Sequence, residues 1–245
     1  LILNGDDELL SGLKGLLPMP MNFYGNNETC ELNAFDIHSL GEDGVRFTVS
    51  LRNEDVDIAL PAPGIHNVSN ALAAIACGLE LNVSNENIKK GLANYSQEKM
   101  RLNIVKYNGI KIINDSYNSA PSSAEASLSV LREVAGGNRS IAVLGDMLEL
   151  GDYARKSHRQ IGATVVREHI SHLVAVGSLA KDYVQGALEA GMDEENTRYF
   201  KEAKQAISYL KSFLKPGDVV LFKGSRGMKL DSLIEGVFET TAFKA

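Results

Sequence analysis

Ile110-Lys111-Ile112-Ile113-Asn114-Asp115-Ser116-Tyr117-Asn118-Ser119-Ala120-Pro121 reads as a short apolar strand, a loop dense in hydrogen-bonding groups and the first turn of a helix. Proline suits that first turn because its missing N–H has no helical partner there. Helical spacing continues over about 122–134. The same unit recurs downstream. Ser140–Leu144, His172–Val176 and Val219–Phe222 read as further buried strands, with helical patterns at about 155–169, 179–190, 201–214 and 229–239. Short apolar runs alternating with amphipathic helices predict an α/β fold: a mostly parallel sheet with helices on both faces. Its connections are right-handed crossovers. Ligands in such sheets sit beyond the carboxyl ends of the strands, so the residues after each strand are the ones to read for chemistry.

Upstream the rhythm differs. From Glu31 to Leu60 the pattern alternates, as in Arg46-Phe47-Thr48-Val49-Ser50-Leu51, with Gly41 and Gly44 bracketing a turn. Period-two alternation around a turn predicts a half-buried antiparallel hairpin. Pro61-Ala62-Pro63-Gly64 ends it, and a helix follows from about Val68 to Leu79 on the spacing of Val68, Leu72, Ile75 and Leu79. A second helix is expected over Asn85–Asn94 with Ser84 as its N-cap. Ser96-Gln97-Glu98-Lys99 reads as a linker, so the expected domains are 1–98 and 99–245.

The 245 residues are 44% apolar and 23% charged, enough to bury a sizeable core without staples. Twenty-five basic against 31 acidic residues leave a net charge of −6, and no Lys/Arg run exceeds two. Nucleic-acid binding through a basic face is not expected. No apolar stretch reaches the ~18 residues that span a bilayer, and no signal-peptide pattern opens the chain, so membrane insertion is not expected. The two cysteines, Cys30 and Cys77, lack CxxC spacing, which fits a reducing cytoplasm and argues against structural zinc. Cys77, in Leu72-Ala73-Ala74-Ile75-Ala76-Cys77, reads as a small core residue. Leu1-Ile2-Leu3-Asn4-Gly5-Asp6-Asp7 reads as a buried strand followed by its loop, and a fragment of a longer protein is expected.

Several loops carry candidate chemistry. Asp115 can accept two ribose hydroxyls, sit near a metal, or serve ordinary turn capping beside Ser116 and Asn118. Gly145-Asp146-Met147-Leu148-Glu149-Leu150-Gly151-Asp152 sets three carboxylates around a loop that can hold a cation or an ammonium group, or is simply a flexible acidic loop. Lys223-Gly224-Ser225-Arg226-Gly227 combines two cations, a hydroxyl and free amides suited to a carboxylate or phosphate. His66-Asn67-Val68-Ser69-Asn70 opens the alanine-rich helix. Asn67 and Asn70 can present amide donors and acceptors to a purine edge, or Asn67 can cap the helix. His66 reads as structural, and His158, His169 and His172 form no ligand pattern. No Gly-x-x-x-x-Gly-Lys-Ser/Thr loop, Gly-x-Gly-x-x-Gly turn or Gly-x-Ser-x-Gly elbow occurs.

Taken together these segments resemble the Mur ligases of peptidoglycan synthesis. Pro63-Gly64-Ile65-His66-Asn67-Val68-Ser69-Asn70-Ala71-Leu72-Ala73-Ala74 is similar to a segment of that family's central ATPase domain. Lys99-Met100-Arg101-Leu102 resembles the arginine entry to its C-terminal domain. Asn114-Asp115-Ser116-Tyr117-Asn118, then Val143 to Gly151 with His158 beyond, then Lys223-Gly224-Ser225-Arg226, resemble the branch that adds a terminal dipeptide. Asn4-Gly5-Asp6-Asp7 resembles a strand-end motif of the central domain. Gly5 departs from the family's usual Ala, and Leu230-Asp231 from its Met-Glu pair. The N-terminal UDP-binding domain and the Gly-Lys-Thr phosphate-loop half of the central domain have no counterpart in this sequence.

The resemblance implies a partial ATPase domain followed by a Rossmann-like C-terminal domain. It implies a cytoplasmic ATP-dependent ligase, monomeric when intact, that uses Mg²⁺ held mainly by the upstream part. The carboxylate of a UDP-MurNAc-tripeptide is phosphorylated, and the amine of D-Ala-D-Ala attacks the acyl phosphate. By position Asn67 and Asn70 lie on the adenine side, Arg101 reaches the phosphates as the catalytic residue, Asp115 takes the ribose and Asn118 borders the nucleotide or the incoming dipeptide. Lys223, Ser225 and Arg226 are the candidates for the dipeptide carboxylate or the acyl phosphate, and Asp146 and Glu149 for the dipeptide ammonium. No metal ligand is expected in this chain, and the chain alone is expected to be inactive. The rival readings are a ligase for another amino acid or a folylpolyglutamate synthase relative, a non-catalytic nucleotide-binding module, and a nicotinamide dehydrogenase.

Overall fold

The computed structural model describes residues 1–240. The chain divides into two compact units, Leu1–Ser96 and Gln97–Ala245, each with its own sheet. In the first unit the elements are β1 (Ile2–Asn4), α1 (Glu8–Ser11), β2 (Asn22–Gly25), β3 (Leu32–Ser39), β4 (Val45–Leu51), β5 (Glu54–Leu60), α2 (His66–Glu80) and α3 (Asn85–Ala93). The sheet runs β1-β2-β3-β4-β5; β1 to β3 are parallel, and β3, β4 and β5 form an antiparallel meander. The alternation of β4 sends Val45, Phe47, Val49 and Leu51 inward while Arg46 and Ser50 face out. Val68, Leu72 and Ile75 of α2 close over that face. Each such buried side chain contributes roughly 1.5–3 kcal/mol. Ser84 caps α3, its hydroxyl accepting the Asn87 N–H at 3.3 Å.

Two expectations fail in α2. Asn67 does not cap it: the helix begins at His66, with Ile65 before it in helical backbone and no side-chain cap. Cys77 is exposed, not core. Residues at i, i+4 and i+7 share a helix face, and Asn70, Ala74 and Cys77 are such a set, all turned outward. Cys30 is the buried thiol. Its sulfur also explains the glycine at position 5, because a Cβ on Gly5 would collide with Cys30 Sγ.

The second unit comprises β6 (Asn103–Tyr107), β7 (Ile110–Asp115), α4 (Pro121–Ala135), β8 (Ser140–Gly145), α5 (Ala154–Arg167), β9 (His172–Val176), α6 (Lys181–Glu189), β10 (Thr197–Phe200), α7 (Ala203–Phe213), β11 (Val219–Lys223) and α8 (Leu230–Phe238). The strand order is β10-β9-β8-β11-β7-β6, parallel throughout except for β6 against β7. The central strands are buried on both faces. Ile113, Ala142, Leu144 and Leu221 join the core with α4, α5 and α6, while Ile112, Val143, Val220 and Phe222 join the core with α7 and α8. Helices α5 and α6 meet almost backbone to backbone. Gly162 faces the main chain at Tyr183, and Gly186 faces that at Arg159, so a Cβ at either would strike main chain.

Candidate functional site

β8, β11 and β7 are adjacent in the sheet, so the loops leaving their carboxyl ends are neighbours. The parallel register sets Lys223 of β11 beside Asp115 of β7, which brings residues 108 apart in sequence into contact. Lys223 Nζ donates to Asp115 Oδ2 at 2.6 Å and to the Asn118 carbonyl at 3.1 Å, and its side chain is only 2% exposed. Asp115 also accepts the Leu102 N–H at 3.1 Å and the Ser127 hydroxyl at 2.6 Å. A carboxylate has about four acceptor positions and an ammonium three donors. By that count the bonds described leave one acceptor position on Asp115 and one donor on Lys223 unassigned.

Ser225 joins all three loops. Its N–H donates to the Asp146 carbonyl at 3.0 Å, its hydroxyl accepts the Leu148 N–H at 2.9 Å, and the same oxygen lies 3.5 Å from the Ser119 carbonyl. The Asp146 carboxylate is turned away from this junction into the β9–α6 turn, accepting the N–H groups of Ser178 at 2.9 Å and Leu179 at 3.1 Å. Glu149 is exposed, in left-handed backbone with φ 65°. Arg226 is half exposed; its guanidinium donates to Asp231 at 3.0 Å and lies 3.5 Å from Met100 Sδ.

Arg101 enters this unit through an unusual backbone. Met100 and Leu102 on either side both have left-handed φ, 63° and 51°, although both side chains are buried. Such conformations cost of order 1–3 kcal/mol each and persist only when the surroundings over-determine them. Here the Met100 carbonyl accepts the Tyr117 N–H at 3.1 Å, and Leu102 N–H is tied to Asp115. The Arg101 guanidinium lies 4.3 Å from the Tyr117 ring centroid and its Nε is 3.4 Å from Glu98. Asn118 is exposed on the same loop, its side-chain oxygen accepting the Ser119 N–H at 2.8 Å.

In the first unit Asn67 Nδ2 donates to the Pro63 carbonyl at 2.8 Å, and Asn70 Nδ2 donates to Asn67 Oδ1 at 3.0 Å. Both amides border a cavity of about 170 Å³ lined also by Leu60, Ala71, Leu92 and Tyr95. Apolar walls with two amides at the rim suit a flat heterocycle. Among the described residues no group of three or more His, Cys, Asp and Glu is placed to hold a metal ion.

The structure thus gathers Asp115, Asn118, Lys223 and Ser225, sets Arg226 and Glu149 on two of the three loops that Ser225 joins, and turns the Asp146 carboxylate away from that junction. Sequence reasoning missed Ser127, and Tyr117 as the platform for Arg101. The motif that holds Tyr117 and the helical spacing from Ser123 to Ser127 were the available signals.

Residues 100–226 match the family model "Mur ligase, glutamate ligase domain", and residues 1–78 match "Mur ligase middle domain". The UDP-N-acetylmuramoyl-tripeptide–D-alanyl-D-alanine ligase of Bacillus subtilis is 33% identical over 241 residues, 98% of this chain and 51% of that protein. The Escherichia coli enzyme of the same name is 30% identical over 220 residues, 89% of this chain and 46% of its own length. The chain spans about half the length of the curated relatives it matches. A crystal structure of MurF from Acinetobacter baumannii superposes with a TM-score of 0.87 at 27% identity, covering 98% of this chain and 51% of that one. MurF from Thermotoga maritima, solved in complex with ADP, shares the fold with a TM-score of 0.78 at 19% identity, over 100% of this chain and 54% of that one.

Proposed function

The chain belongs to the Mur ligase family, and from that membership we propose that it forms part of an ATP-dependent ligase joining D-Ala-D-Ala to UDP-MurNAc-tripeptide. On this reading the first unit is part of the middle, nucleotide-binding domain and the second is the C-terminal domain. The observation that carries it is the match, running through 98% of the chain, to a ligase of that name. The geometry agrees with it.

In the proposed reaction the tripeptide carboxylate attacks the γ-phosphorus of ATP and ADP departs. The dipeptide amine then attacks the acyl carbon, and the tetrahedral intermediate expels phosphate as the nitrogen loses its proton. Such chemistry is mostly charge neutralisation and alignment. Asn67 and Asn70, at the rim of an apolar cavity, take the adenine. Asp115 offers its remaining acceptor to a ribose hydroxyl, with Asn118 beside it. Arg101, exposed and parked on Tyr117, is the cation that moves to the phosphates. Lys223 offers its third donor to an anionic oxygen. Arg226 and Glu149 present opposite charges, which suits a zwitterion: guanidinium to the dipeptide carboxylate, carboxylate to its ammonium. Ser225 serves this site by tying its loops together, and the inward-turned Asp146 carboxylate is left out of the substrate set. Mg²⁺ bound with the nucleotide would supply charge neutralisation on the phosphoryl group.

No described helix is long and apolar enough to cross a membrane, and nucleotide-linked substrates fit a cytoplasmic enzyme. The test is phosphate release by the full-length ligase with ATP, Mg²⁺, UDP-MurNAc-tripeptide and D-Ala-D-Ala, with this chain run alongside. Release that requires the dipeptide is expected from the longer protein alone. Release indifferent to the dipeptide, or promoted equally by another amino acid, would overturn the substrate assignment.

A further inference from the structure

His158 is the one fully buried histidine among the described residues, and the chemistry proposed above does not use it. It lies on α5, beneath the loop that follows β8. Its Nε2 accepts the Met147 N–H at 3.0 Å, and its Nδ1 lies 2.6 Å from the Ala154 carbonyl. An N–H on one side and a C=O on the other fix the tautomer with the proton on Nδ1. The ring lies against Tyr183, centroids 4.5 Å apart, and the Tyr183 hydroxyl donates to the Gly145 carbonyl at 3.0 Å. Helices α5 and α6 therefore hold the main chain at Gly145 and Met147 from one side.

From the other side the same loop is held by Ser225, through the Asp146 carbonyl and the Leu148 N–H. The Leu148 side chain covers Gly227, where a Cβ would come within 2.9 Å of Leu148 Cδ1. Only beyond these two anchors does the chain turn outward, at the left-handed Glu149. We infer that His158 is a positioning residue: with Ser225 as its counterpart it fixes the loop that carries Leu148 and Glu149 against the Ser225–Gly227 segment, and so governs the fit of the zwitterionic acceptor. The inference rests on the ligase reading for what the loop binds, and on the structure alone for how the loop is held.

Two substitutions separate this role from simple packing. Gln at 158 can carry an acceptor to the position of Nε2, whereas Asn reaches only the Nδ1 side. In this chain, His158→Asn is expected to speed amide hydrogen exchange at Met147 and Leu148 at least about tenfold while His158→Gln keeps it slow; loss of one well-placed bond at a buried amide has effects of that order. In the full-length ligase, His158→Asn is expected to raise the KM for D-Ala-D-Ala at least about tenfold, with the KM for ATP within about twofold, since small misplacements of a binding group are felt on that scale. Unchanged exchange, or equal shifts in both KM values, would overturn the inference. If His158→Asn does not fold, Ser225→Ala reads the loop from its other anchor, and Leu148 exchange must rise there or the inference falls. A wild-type ligase indifferent to the dipeptide would sink the substrate reading, while the exchange measurement still decides the loop support.

Discussion

Lys223 and Asp115 show what one buried charge asks of its neighbours. The pair is separated by 2.6 Å and nearly shut off from solvent. Removing one partner leaves the other charge buried alone, which costs about 3–5 kcal/mol, whereas replacing both by uncharged groups is often close to neutral. Asp115→Asn and Lys223→Met are each expected to lower the stability of the chain by that order, and the double variant is expected to recover most of it. Urea titrations of the four proteins measure the coupling; additive losses would contradict the isolated-charge account. Gly5 and Cys30 form a second coupled pair. Gly5→Ala is expected to destabilise by roughly 1–3 kcal/mol through overpacking, because the new methyl meets Cys30 Sγ. Cys30→Ala removes the sulfur and should make alanine tolerable at position 5. A Gly5→Ala penalty that persists unchanged in the Cys30→Ala background would reject the pairing.

Among the elements, the amino end of β9 carries a pH dependence. His172 lies edge-on to Phe213, ring centroids 5.0 Å apart, with Arg139 stacked on that same ring at 4.5 Å. Burial first, and the Arg139 charge second, hold the His172 pKa below its ordinary 6.5. The unfolded chain therefore takes up this proton before the folded one does. The contribution is complete above about pH 6.5 and is lost as pH falls toward the depressed folded value. Wild-type melting temperature is expected to drop between about pH 7 and 5 more steeply than that of His172→Gln; parallel curves would remove His172 as the cause. The elements also show what could be read in advance. The strands of the parallel core stood out because burial on both faces makes them continuous apolar runs, and the helices between them because one face is apolar. Strand β10, Thr197–Phe200, is short, polar and at the sheet edge, so it carries no such run. Strand β6 was equally hidden, although Asn108-Gly109, with φ 49° and 77°, is a strong two-residue hairpin signal. Asp115, Lys223, Ser225 and Arg226 stood out in the sequence from their place at or just beyond the carboxyl ends of strands. Which of the candidate side chains turn inward was not legible, because it depends on partners remote in sequence, as where the Asp146 carboxylate accepts the Ser178 N–H.

Over the whole molecule, the apolar cores of the two units share no residue. The second unit contains a complete six-stranded sheet covered on both faces. Residues 97–245 expressed alone are therefore expected to melt cooperatively with native-like near-ultraviolet dichroism; a gradual melt without tertiary signal would show that the unit needs the rest of the chain. The outward face of α2 has a practical consequence. Of the chain's two thiols, burial and then the carboxylates of Asp6 and Glu31 push the Cys30 pKa up, whereas Cys77 stands in solvent. A maleimide fluorophore or nitroxide at neutral pH should thus couple once per chain, at Cys77, with no engineered cysteine. Because Cys77 lies two turns along from Asn70 on the same face, that native handle would test the proposed adenine site by quenching or spin broadening, in the unaltered sequence.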